Sequence, residues 1–94
     1  MIIVIAEVVT RPGMEQAYED SFRALQAIVS RNEPQCVLYQ SGRSREESST
    51  YRAVEVFADQ EALDFHLESA WLRDGWSQMQ ASIASVEVST HESV

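Results

Sequence analysis

Ile2-Ile3-Val4-Ile5-Ala6-Glu7-Val8-Val9-Thr10 is the stretch from which the fold follows. A run so rich in β-branched residues reads as a strand, and this one is apolar on both faces, so each face has to be covered by something. Arg11-Pro12-Gly13 stops it. Downstream from Met14, Tyr18, Phe22, Leu25 and Val29 recur at spacings of four, three and four, the stripe of an amphipathic helix that ends near Arg31-Asn32 and is closed by Glu33-Pro34. Cys36 to Gln40 reads as a short strand, and Ser41 to Ser49, with Gly42 and many polar residues, as a surface turn.

Thr50 to Phe57 returns as a strand with Tyr51, Ala53, Glu55 and Phe57 on one face and Val54 and Val56 on the other. Asp59 has the chemistry of a helix N-cap. A helical period then runs through Ala62, Leu63, His66, Leu67 and Ala70 and continues over Trp71, Leu72, Trp76 and Met79, with Gly75 as the expected kink or break. Val86 and Val88 alternate with Glu87 and Ser89 in a last strand, followed by a polar stretch from His91 that is expected to fray. The order β-α-β-β-α-β over one domain, residues 1–94, is the ferredoxin-like α+β arrangement: a four-stranded antiparallel sheet with the helical segments on one side.

That arrangement leaves one sheet face without a helix, while the first and third strands carry apolar groups on both faces. A symmetric sheet-to-sheet homodimer would cover it, giving a dimeric α/β barrel. The alternative is an outer face that is simply apolar surface, as much of any protein surface is.

Composition narrows the function. Fifteen acidic residues against seven arginines leave a formal charge of −8, which repels a phosphate backbone, so nucleic acid is not expected as a partner. The absence of lysine excludes a Schiff base with a carbonyl substrate or pyridoxal cofactor. A single cysteine, Cys36, no apolar leader and no apolar run near the roughly 20 residues of a membrane span point to a cytoplasmic chain without a membrane anchor. Two histidines and one cysteine, far apart, give no metal-ligand spacing, so no metal is expected, and three glycines form no phosphate loop.

Ala6-Glu7 followed by Arg11-Pro12-Gly13, Glu33-Pro34-Gln35-Cys36 with Tyr39, and Glu55-Val56-Phe57-Ala58-Asp59-Gln60-Glu61-Ala62-Leu63 with His66 and Ser69 resemble the antibiotic biosynthesis monooxygenase domain over nearly the whole chain. The resemblance implies a dimeric α+β barrel. Some members oxidise quinols or phenolic polyketides with molecular oxygen and without metal, flavin or haem. Others resemble a signal isomerase or degrade haem. Three departures stand out. Gln35 occupies a position that is usually glycine, so the turn there lacks easy positive φ. Trp71-Leu72 stand where many members carry His-Phe, so a second pocket histidine is missing. Ala6, His66 and Trp76 stand where the haem-degrading branch has asparagine, tryptophan and an iron-binding histidine, so haem degradation is not expected.

The candidate chemistry follows from these residues. His66 is read either as a general base or hydrogen-bond donor to a phenolate, or as a packed helix histidine bonded to Glu55 or a backbone carbonyl. Glu55, a carboxylate among apolar strand residues, is read as the group that orients His66, or as a dimer contact. Tyr39, Phe22, Trp71 and Trp76 are the expected stacking wall for a small aromatic or quinone-like molecule, or else plain core. The leading expectation is a cofactor-independent monooxygenase acting on a small quinol or phenol. The alternatives are a non-catalytic small-molecule-binding or stress-associated dimer and an isomerase of a small oxygenated metabolite.

Overall fold

The computed structural model describes residues Met1–Val94. Its elements are β1 (Ile2–Thr10), α1 (Glu15–Asn32), β2 (Cys36–Arg43), β3 (Thr50–Phe57), α2 (Gln60–Glu68), α3 (Ala70–Met79), a short 3₁₀ turn (Gln80–Ser82) and β4 (Ile83–Glu92). The four strands form one antiparallel sheet in the order β2-β3-β1-β4, the ferredoxin-like topology. Strand β1 lies in the middle, where its two-faced apolar character belongs: Ile2, Val4, Ala6, Val8 and Thr10 are buried, and Ile3, Ile5, Glu7 and Val9 are partly covered on the opposite face. Tyr51, Ala53, Glu55 and Phe57 lie on the helix side of β3, because the register sets Ala53 against Ala6 and Glu55 against Val4.

The amphipathic stripe of α1 buries Tyr18, Phe22, Leu25 and Val29 against Ala6, Val8, Tyr51 and Ala53 in one core cluster. A second cluster, Ile2, Val4, Phe57, Ala62 and Leu63, lies under α2. Asp59 caps α2 through a 2.9 Å bond from the Ala62 N–H. Asp59→Ala is expected to lower stability by about 1 kcal/mol, the usual cost of losing an N-cap acceptor, as read from urea unfolding midpoints.

The helical stretch after Asp59 does break, but at Ser69 and not at Gly75. Ser69 adopts an extended conformation (φ −70°, ψ 144°) between α2 and α3, and its hydroxyl serves both ends: it donates to the His66 carbonyl at 2.7 Å and accepts from the Leu72 N–H at 3.1 Å. Gly75 instead lies within α3, where an added Cβ would come within 3.0 Å of Leu25 Cδ1. It is there to let α3 approach α1 closely. Two other boundaries also differ. Strand β2 continues to Arg43 into the expected turn, and β4 continues through His91 to Glu92, pairing His91 with Ile3, so His91 is part of the sheet.

The Glu33–Cys36 turn closes by a 3.1 Å bond from the Cys36 N–H to the Glu33 carbonyl. No non-glycine residue in the chain has positive φ, so Gln35 fits without the conformation that glycine would have supplied. No helix is long and apolar enough to cross a membrane. On the sheet face away from the helices, Ile3, Ile5, Val9, Val54 and Val56 are only partly covered and Leu38 is exposed, with a Glu7–Arg52 ion pair at 2.6 Å between Ile5 and Val9.

Candidate functional site

Between the two core clusters the helix layer leaves an apolar cavity of about 270 Å³. Phe22, Tyr39, Glu55, His66 and Trp76 all line it. Its floor is the inner face of the sheet, from Val4, Ala6 and Val8 across to Val86 and Val88 on β4, and its rim is formed by Leu67 and Trp76, both exposed. Apolar cavities of about 150 Å³ accept a benzene ring, so this one has room for a substituted ring.

His66 projects from α2 into the layer between helices and sheet and is 1% exposed. Its ring packs beside Phe57, with centroids 5.1 Å apart, and against Tyr39 in an edge-on arrangement at 5.3 Å. Tyr39 in turn stacks on Phe22 at 5.2 Å with the planes 10° apart. The aromatic wall is therefore continuous from α1 through β2 to the imidazole.

Two carboxylates hold the imidazole, one at each nitrogen. Nδ1 lies 2.8 Å from Glu33 Oε2, and Nε2 lies 3.6 Å from Glu55 Oε1. The close partner is thus Glu33, and Glu55 faces the other nitrogen from the cavity side. Sequence reading assigned the orienting role to Glu55, because Glu33 looked like a polar helix terminator. Glu33 is in fact buried, and its Oε2 also accepts a 2.7 Å hydrogen bond from the Trp71 indole N–H. Trp71 does not line the cavity. It packs edge-on against Phe65, 5.7 Å between centroids, and holds Glu33 from behind. Trp71 and Trp76 are five residues apart on α3, about 140° around the helix, so they cannot share one wall.

Burial and then the negative charge of Glu33 push the Glu55 carboxyl up to about 7. Burial, then the charges of Glu55 and Glu33, push the Tyr39 phenol up as well, so it remains a hydroxyl throughout the neutral range. Burial, Glu33 and Glu55 raise the Cys36 thiol to about 11, which keeps it a thiol and a poor nucleophile. The arrangement can therefore take up and return a proton at His66 Nε2 and Glu55, beside an apolar space lined with aromatic rings.

Comparison with known proteins agrees with this architecture. The model for the family described as antibiotic biosynthesis monooxygenase matches residues 1–81. A candidate antibiotic biosynthesis monooxygenase from Caulobacter crescentus CB15 superposes with a TM-score of 0.94 at 29% identity, covering 99% of this chain and 89% of its own. A protein from Pseudomonas aeruginosa superposes with a TM-score of 0.86 at 26% identity, covering 99% and 93%. A candidate antibiotic biosynthesis monooxygenase from Nitrosomonas europaea shares the fold, with a TM-score of 0.91 at 14% identity and coverage of 100% and 99%. No functionally curated protein matches the sequence. With six-sevenths of its length matched by the family model and its fold shared end to end, the chain belongs to the antibiotic biosynthesis monooxygenase family.

Proposed function

We propose that the protein is a cofactor-independent monooxygenase that oxidises a small quinol or phenol with molecular oxygen. The observation that supports this best is the buried His66 with Glu55 3.6 Å from its Nε2, both at the wall of an apolar, aromatic-lined cavity. An ionised phenol is electron-rich enough to pass an electron to oxygen itself, so the protein has to bind it, remove its proton and keep water out.

In this reading His66 is the base. Glu33 accepts from Nδ1–H and so leaves the Nε2 lone pair on the cavity side. The phenolic O–H bond breaks as Nε2–H forms, and the Glu55 carboxylate at 3.6 Å stabilises the imidazolium. The phenolate and oxygen then combine: one oxygen atom enters the ring and the other leaves as water, with the two-electron oxidation of quinol to quinone supplying the electrons. Tyr39, Phe22 and Trp76 provide the surface against which the ring stacks, while Trp71 acts through Glu33. The test is oxygen consumption with a panel of quinols. Enzyme-dependent uptake above autoxidation is expected, and none anywhere from about pH 6 to about pH 9 would contradict the proposal.

A second reading, small-molecule binding without turnover, has its own support in the burial of His66 and its 2.8 Å hydrogen bond to Glu33, which is what a packed helix histidine shows. Tight saturable binding of a quinone with no oxygen uptake would favour it.

The protein is further proposed to work as a homodimer. The sheet face carrying Ile3, Ile5, Val54, Val56 and Leu38 has no helix over it, and hydrating such a patch is costly at about 25 cal/mol per Å². Sedimentation at micromolar concentration should give a dimer, and Val54→Glu should shift it toward monomer. A wild-type monomer would overturn this.

A further inference from the structure

Beneath α2 lies a second space. It is an open recess at the surface lined by Glu33, Cys36, Asp59, Glu61, Asp64 and Glu68, among others, and no arginine or histidine contributes to it. It shares no lining residue with the cavity that His66 faces. A side-chain hydrogen bond links the two linings, from His66 Nδ1 to Glu33 Oε2 at 2.8 Å. The second oxygen of the same carboxyl, Glu33 Oε1, is buried and has no hydrogen-bond partner. A buried carboxylate oxygen without a donor is costly and calls for an explanation.

We propose that Glu33 is the proton conduit of the site, the route by which the buried His66 ring exchanges protons with water in the acidic recess. Glu33 is a relay residue acting through His66 and does not touch the substrate. This rests on the reading of His66 as an acid–base group. When His66 has taken a proton at Nε2, the imidazolium gives its Nδ1 proton to Glu33: the Nδ1–H bond breaks and an O–H bond forms on the carboxyl. The carboxyl turns about its last torsion, which is soft, and passes the proton to water on the recess side. The ring left behind carries its proton on Nε2 and is poised as a general acid toward the cavity. As that proton passes to oxygen there, Glu33, reprotonated from water, gives a proton to Nδ1 in the same step, so the ring stays neutral and the base is restored.

Each feature of the surroundings fits this role. Trp71 Nε1–H holds one carboxyl oxygen, so the group is anchored without being fully paired. Asp59, Glu61, Asp64 and Glu68 give the recess a negative potential that draws protons toward it. On the cavity side Glu55 lies 3.6 Å from the opposite nitrogen, beyond hydrogen-bond distance, whereas Glu33 is bonded to Nδ1 at 2.8 Å.

The experiment is ¹⁵N NMR of the His66 ring in the substrate-free protein, comparing wild type, Glu33→Gln and Glu55→Gln. The wild type is expected to carry a proton on Nδ1 that exchanges with water. In Glu33→Gln, whose amide oxygen still accepts a hydrogen bond but takes up no proton, exchange should slow by about tenfold or more. In Glu55→Gln it should change little. Exchange that is unchanged or faster in Glu33→Gln, or slowed only in Glu55→Gln, would overturn the proposal and place the route through the cavity mouth. Should Glu33→Gln fail to fold, the exposed double variant Asp64→Asn, Glu68→Gln is the second arm: exchange should slow about two- to threefold as the potential weakens, and no change would overturn the relay. Since no substrate is involved, the expected exchange together with an absence of oxygen uptake would sink the monooxygenase reading and leave the conduit standing.

Discussion

His66→Ala is expected to lower quinol-dependent oxygen consumption by about 10²- to 10⁴-fold, the usual contribution of a positioned base. The structure adds a second consequence. Glu33 and His66 have side chains only 2% exposed, so removing the imidazole leaves a buried carboxylate without its partner. Breaking a buried pair from one side costs about 3 to 5 kcal/mol, a large share of the roughly 5 to 15 kcal/mol that holds a domain together. Catalytic and structural roles for His66 are therefore not alternatives, and the alanine variant alone does not separate them. His66→Asn does. Its amide N–H can still donate toward Glu33 from near the Nδ1 position, but it has no nitrogen lone pair to accept a proton. Stability close to wild type with turnover reduced as far as in the alanine variant is the expected result. Turnover of folded His66→Asn within a few-fold of wild type, measured with saturating quinol, would remove His66 from the mechanism.

Glu55→Gln is expected to make the protein more stable than wild type in mildly alkaline solution and to lose that advantage in acid. Burial, then the charge of Glu33, raises the Glu55 carboxyl to about 7 in the folded chain from an ordinary 4.5. Between those values the folded state binds more protons than the unfolded state, so stability falls as pH rises through the window. Above about 7 wild type bears the full cost of a buried charge, at most about 3 kcal/mol for such a shift. Glutamine has the same shape and never ionises. Urea unfolding at about pH 5 and about pH 8 should show a difference between variant and wild type at the higher pH only. A difference independent of pH would show that Glu55 is not held in this way.

The strands and α1 were legible because their apolar residues follow periods of two and of three to four, and because Asp59 is an unambiguous cap. The break at Ser69 was not, since a serine within an apolar helical pattern looks like an ordinary polar position. Only the structure shows one hydroxyl serving the end of α2 and the start of α3. Glycine is the expected place for a break, yet Gly75 is needed for the packing of Leu25.

At the site, the residues converging on one cavity, Phe22, Tyr39, Glu55, His66 and Trp76, carried recognisable chemistry in the sequence. Glu33 did not. A glutamate before proline at a helix end reads as solvated, and its partners His66 and Trp71 lie 33 and 38 residues away. Helical geometry did contain one usable signal, the angle between Trp71 and Trp76, which bars them from a common wall.

The central claim is that the Glu55 carboxylate supports proton removal by His66 within the cavity. It is tested most directly by kcat/KM for quinol-dependent oxygen uptake as a function of pH, in wild type and in Glu55→Gln. Because ionised Glu55 stabilises the imidazolium, the wild-type rate should rise through an inflection near the Glu55 value of about 7. The variant should be slower and should lack that inflection. The same inflection in both proteins would contradict the account.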